Sequence, residues 1–246
     1  MLLPRLITAV VGIPLILLSI YYGGIPFFIL IVTITVFALS EYFYILEQAQ
    51  YGSHKIAGYI FAIITFLGIF FNGTKILTPF ENQTVSIVLT LGLMTLFFVE
   101  IFRSTIYNKN PEGSTGRVAV TFLGVFLLSW SFGHLILLRD IHPHGDKYVF
   151  YLFIMIWLVD TGAYAVGVNL GRRRLSEQIS PKKTVEGALG GIITAMAVSI
   201  ALWYVSGLRE FSLQEATLLG VLISVVSYIS DLSESLLKRD AGLKDS

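Results

Sequence analysis

The sequence predicts an all-α, polytopic integral membrane bundle of about eight spans with its N-terminus in the cytoplasm. Three observations carry that expectation. The 246 residues are 55% hydrophobic and only 13% charged, with mean hydropathy +0.77. Soluble domains average about 25% charged residues and have no means of hiding so much apolar surface. The apolar residues fall in eight runs, at about 6–22, 25–46, 56–71, 85–101, 118–138, 148–170, 188–206 and 216–230, each near the ~20 residues that cross a bilayer as a helix. They are too long and too uniformly apolar for barrel strands, which alternate over about 10 residues. When eight spans alternate from a cytoplasmic N-terminus, 13 of the 17 lysines and arginines fall inside, and only Lys75, Arg139, Lys147 and Arg209 fall outside. That is a strong positive-inside bias.

Taken in order, the first run follows Pro4 and Arg5 and reads as a retained helix. No small-residue cleavage site follows it, and further spans come after. Gly23-Gly24-Ile25-Pro26 makes the next turn so tight that the first two runs form a helical hairpin. Glu41, near the inner end of the second run, reads as an interfacial acid. Glu100, near the inner end of the fourth, stands three residues before Arg103, the spacing of a helical ion pair. The fifth run closes an N-terminal membrane region, 1–140. His142-Pro143-His144 reads as a solvated outer turn leading into a C-terminal region, 141–246.

That second region concentrates the polar chemistry. Asp160 stands deep in the sixth apolar run with no basic residue within ten positions, flanked by Gly162, Ala163 and Gly167. A carboxylate at that depth needs a partner, an ion or water, and reads either as a packing acid or as an ion or substrate site. Arg172, Arg173, Arg174, Lys182 and Lys183 fall in one short inner loop, where they either touch anionic headgroups or line a polyphosphate pocket. After the last run, Asp231, Glu234, Ser235 and Lys238 have the spacing of one helix face. That face is either an ordinary charged helix or a set of hard oxygen ligands and a phosphate-binding lysine, suited to Mg²⁺.

Exclusions narrow the classes. The net charge of +1 excludes a strongly basic nucleic-acid binder, and the absence of cysteine excludes thiol chemistry. The length leaves no room for a large soluble domain beside the spans. There is no Walker A loop, dinucleotide fingerprint or His-Glu-x-x-His motif.

Two stretches resemble the phosphatidate cytidylyltransferase family, the CDP-diglyceride synthetases. The first runs from Trp157 through Asp160 to Gly167, continues at Gly171-Arg172-Arg173-Arg174-Leu175, and ends at Ile179-Ser180-Pro181-Lys182-Lys183-Thr184-Val185-Glu186-Gly187. The second is Ser230-Asp231-Leu232-Ser233-Glu234-Ser235-Leu236-Leu237-Lys238-Arg239, continuing to Gly242 and Lys244-Asp245-Ser246. Ser230 stands where the family has glycine. The family signature also continues past this point into a further helix with aspartates. The resemblance therefore implies a ninth helix and a chain cut short inside its signature.

The resemblance implies transfer of the CMP moiety of CTP to phosphatidic acid, giving CDP-diacylglycerol and pyrophosphate. It implies Mg²⁺ as cofactor, a homodimer in the bacterial inner membrane, and an active site facing the cytoplasm. Asp231 is the first expected metal ligand, with Asp160, Glu234 and Asp245 as further candidates. Lys238 and Ser235 join Asp231 as expected catalytic groups. Ser180, Lys182, Lys183, Thr184, Arg239 and Lys244 are expected to bind the triphosphate and the lipid phosphate. Alternatives are a CTP-dependent polyprenol or dolichol kinase and, in another class, an ion-coupled transporter using Asp160.

Overall fold

The structure, a computed structural model, describes residues 2–71, 83–206 and 210–243, with side chains from residue 10 onward. Lys75, Arg209, Lys244 and Asp245 lie outside the described residues. Within them run α1 (Leu2–Tyr22), α2 (Gly24–Gln48), α3 (Lys55–Phe70), α4 (Thr84–Ile106), α5 (Ser114–Arg139), α6 (Gly145–Leu170), α7 (Val185–Ser206) and α8 (Leu213–Asp240). α5 winds as a π-helix over Val125–Trp130. The result is a largely apolar helical bundle of the kind a polytopic membrane protein builds.

Each predicted run lies on one of these helices, but they are not equal. Among the described residues six helices, α2 and α4 to α8, are long and apolar enough to cross a membrane. α3 has 16 residues, about 24 Å of helix against a hydrocarbon core of ~30 Å. α1 runs for 21 residues, Leu2–Tyr22. The all-α expectation holds for the bundle, and one loop adds a short pair of strands. Between α6 and α7 the predicted loop is an antiparallel hairpin of β1 (Arg174–Ser176) and β2 (Ser180–Thr184), with Arg174 opposite Thr184 and Ser176 opposite Ser180. Backbone polar groups in a short connection must find partners, and the hairpin supplies them locally.

The chain divides into two compact units, Met1–Ile141 and His142–Ser246. In the first, a single residue, Gly23, separates α1 from α2, as the glycine pair predicts. Gly23 has φ +63, and a Cβ there would lie 2.6 Å from Arg139 Nη2. That guanidinium donates from Nε to the Ile20 carbonyl at 2.6 Å and from Nη2 to the Tyr21 carbonyl at 3.0 Å. It thereby caps carbonyls that the end of α1 leaves without helical partners. Phe27, Ile31, Thr35, Leu39 and Phe43 recur every four residues along α2 and are all buried.

Glu100 on α4 is the buried acid of this unit, 4% exposed. Arg103 donates to its Oε1 from Nη2 at 2.6 Å, as the spacing predicts. The fold adds Arg117 Nη2 at 2.6 Å and Ser114 Oγ at 2.8 Å from α5, and sets His54 Nε2 2.6 Å from Oε2. The His54 N–H in turn donates to Thr121 Oγ1 at 2.9 Å. One carboxylate thus ties the start of α3 to α4 and α5.

In the second unit, Met155 and Val159 of α6 and Ala195 of α7 are fully buried, with Tyr151, Val198, Leu202 and Ile223 packed around them. α8 opens on a capping box. The Glu215 N–H donates to Ser212 Oγ at 3.2 Å, and the Ser212 N–H donates to Glu215 Oε2 at 2.8 Å. α8 does not stop near 230 but continues to Asp240 for 28 residues in all. Helix needs no apolar face to persist. Lys238 donates to Glu234 one turn away at 2.5 Å, and Lys238 and Arg239 suit the negative end of the helix dipole. The stop is a Schellman motif: Gly242 at φ +70 donates to the Arg239 carbonyl at 3.0 Å and Leu243 to the Lys238 carbonyl at 2.9 Å.

Candidate active site

The hairpin is pinned at its root. Glu186, in the first turn of α7, accepts the N–H of Arg172 at 2.9 Å and of Arg173 at 3.1 Å on Oε2. A carboxylate there also meets the positive end of the helix dipole. Val185 N–H donates to the Arg173 carbonyl at 2.9 Å, and Gly187 N–H donates to Thr184 Oγ1 at 3.1 Å. Thr184 therefore ends β2 and caps α7 in one residue. The turn of the hairpin is held from α8, where Arg239 Nε donates to the Ile179 carbonyl at 3.2 Å.

With both ends fixed, β2 delivers Lys183 to α8. Its Nζ donates to Asp231 Oδ2 at 2.8 Å, and the same ammonium stands 5.7 Å from the centre of the Tyr228 ring. Asp160 on α6 interacts electrostatically with both Asp231 and Lys183. Ser227 Oγ lies 3.5 Å from Asp160 Oδ1. Lys183 of β2 and Asp231 of α8 thus form an ion pair between residues far apart in sequence, and Asp160 of α6 stands against Ser227, one turn before Asp231 on α8. Both carboxylates are exposed.

The other expected groups are distributed around it. Glu234 pairs with Lys238 on its own helix, and Ser235 Oγ donates to the Asp231 carbonyl at 2.9 Å. Ser180 and Lys182 lie on β2, with Lys182 exposed. Lys244 and Asp245 fall outside the described residues. Among the described residues no three His, Cys, Asp or Glu side chains gather into a metal-holding cluster. Two hard carboxylates still fit Mg²⁺, which is commonly held by one or two carboxylates plus substrate phosphates and water.

Sequence reasoning passed over Glu186, Ser227 and Tyr228 as functional positions. Ser227 and Tyr228 stand four and three residues before Asp231, the spacings that place side chains on one helix face. That signal was available. Glu186 stood within the first family-like stretch, two residues after Thr184, with no role assigned to it.

The sequence is similar to known proteins along nearly its whole length. A family model described as "Cytidylyltransferase family" matches residues 3–246. A phosphatidate cytidylyltransferase of Bacillus subtilis is 28% identical over 242 residues, covering 98% of this chain and 86% of the relative. One from Staphylococcus aureus is 27% identical over 248 residues, covering 98% and 87%. A shorter match, 48% identical over 107 residues, links 42% of this chain to 35% of a phosphatidate cytidylyltransferase of Synechocystis.

Proposed function

The chain belongs to the cytidylyltransferase family, and from that premise we propose that the His142–Ser246 unit carries out its reaction at the Asp160, Lys183 and Asp231 group. The reaction transfers CMP from CTP to phosphatidic acid. A phosphate oxygen of phosphatidic acid bonds to the α-phosphorus of CTP, the bond from that phosphorus to the bridging oxygen breaks, and pyrophosphate leaves with the electron pair. CDP-diacylglycerol is the product. No protein nucleophile is needed. The protein must hold two anions together and stabilise the leaving pyrophosphate.

One observation carries the placement: Asp231, an exposed acid of α8, meets a lysine delivered by a pinned hairpin, with the exposed Asp160 of α6 electrostatically coupled to both. Asp231 and Asp160 would hold Mg²⁺, which when bound neutralises charge on the triphosphate and the pyrophosphate. Lys182, Lys183 and Lys238, with Lys244, supply cations for the triphosphate and the lipid phosphate. Ser180 and Ser235 supply hydroxyls, and Thr184 and Arg239 hold the hairpin in place. Glu234 and Asp245 stand as further carboxylates of the signature. The basic bias of the sequence supports a cytoplasm-facing site and a cytoplasmic N-terminus in a bacterial inner membrane. The resemblance also supports a homodimer.

The test is Mg²⁺-dependent release of pyrophosphate from CTP when phosphatidic acid is present. Release of CDP in its place would identify a kinase and overturn the reading. Cysteines placed at His144 and Ser176 must label from opposite sides of the membrane. The mass of the purified protein in detergent tests the dimer.

A further inference from the structure

We propose that Lys183 is the resident counter-ion of Asp231 and competes with a divalent cation for that carboxylate, so that nucleotide arrival controls metal binding. The inference rests on the assignment of Asp231 and Asp160 as metal ligands. Its basis is the position of one ammonium. Lys183 Nζ donates to Asp231 Oδ2 at 2.8 Å and interacts with Asp160 as well. It therefore sits on the oxygen a metal ion would use, carrying charge of the same sign.

The pair is built to exchange. The Lys183 side chain is 23% exposed and that of Asp231 50%, and ion pairs this open to water are weak. The stem is flexible, and the ammonium is a compact point charge. Its backbone is not free to move with it. Thr184, the next residue, is locked to Gly187, and Glu186 holds the root of the hairpin. Release of Lys183 is therefore a side-chain motion about a fixed pivot. The Tyr228 ring, its centre 5.7 Å from the ammonium, presents an aromatic face beside Lys183.

A triphosphate supplies what moves it. Its several negative charges attract the ammonium more strongly than one half-exposed carboxylate does. Once Lys183 turns to the phosphates, Asp231 Oδ2 is open and the repulsion on an incoming divalent cation falls. Without nucleotide, the cation must displace the lysine or share its carboxylate. Nucleotide and metal binding are then positively coupled through one side chain. Lys183 is in this respect a positioning residue for the metal as well as a phosphate ligand.

The experiment measures Mn²⁺ binding to the full purified chain without nucleotide, by the electron paramagnetic resonance signal of free Mn²⁺. Lys183→Met should bind Mn²⁺ about three- to thirtyfold more tightly than the unaltered chain, combining loss of the exposed pair with loss of like-charge repulsion. Lys183→Arg keeps the charge and should stay within about twofold of the unaltered chain on the same reasoning. Lys147→Met removes the same charge at the start of α6, away from the site, and should change nothing. Equal or weaker Mn²⁺ binding in Lys183→Met overturns the proposal, as does an equal gain in Lys147→Met. Asp231→Asn separates the two readings. If it leaves Mn²⁺ binding intact, the metal assignment itself has failed. If it abolishes binding while Lys183→Met gives no gain, only the competition has failed.

Discussion

Glu100 and Asp231 are both carboxylates on helices of membrane-crossing length, and both face cations, yet they are built for opposite ends. Glu100 is 4% exposed and has donors from Arg103, Arg117 and Ser114, with His54 against its second oxygen. Every lone pair that matters is used, by side chains of the same unit. Asp231 has a half-exposed side chain, and one lysine from a hairpin donates to it. A saturated, buried acid fixes helices, whereas an acid with spare acceptor capacity and a mobile partner can take a ligand. The difference separates structure from chemistry more sharply than either residue's depth along its helix does.

The largest effect that would break this contrast is on stability. Glu100→Ala strands two arginines at a buried site and should destabilise the first unit by about 3 kcal/mol, read as a large fall in melting temperature in detergent. If Glu100→Ala melts like the unaltered chain, Glu100 is not a structural tie. Next in size, Asp231→Asn should lower the rate of pyrophosphate release on the order of 10²-fold while shifting stability by no more than about 1 kcal/mol. A variant that instead unfolds would place Asp231 with Glu100.

Smaller changes sharpen the picture around the hairpin. Glu186→Ala removes the acceptor for the N–H groups of Arg172 and Arg173. It should lower kcat/KM about tenfold through misplacement of Lys183, with the melting temperature nearly unchanged. Restoration by Glu186→Gln, which keeps an acceptor oxygen, separates this positioning role from a role of the charge. Smallest of all, Gly242→Ala puts a side chain at φ +70 in the Schellman stop of α8 and should cost about 1 kcal/mol. A thermal melt that moves by less than a degree would show that the end of α8 contributes nothing to the unit.

How much was legible beforehand varied with the kind of signal. Hydropathy located every helix, because a span must be apolar along its length. It misplaced the end of α8 by a decade of residues, because polar helix carries no hydropathy signal. The i,i+3 pair of Glu100 with Arg103 was legible; Arg117, Ser114 and His54 were not, since they come from other elements. At the candidate site, Asp231 and Lys183 stood out by type and motif. Asp160 looked isolated because no cation was near it in sequence, while in space Lys183 interacts with it.

What the sequence by itself determined was the helical bundle, the tight turn at Gly23-Gly24 and the family to which the two polar stretches point. Each of these depends on composition or on residues close together in the chain, where helical periodicity and backbone sterics are enough. Only the tertiary structure decided that the basic loop is a hairpin rooted on Glu186. Only it decided that Lys183 lands on Asp231, that Asp160 faces Ser227, and that Glu234 turns to Lys238. Those outcomes depend on how α6, α7 and α8 pack. The spacing of residues along a chain says nothing about which faces of three helices will meet.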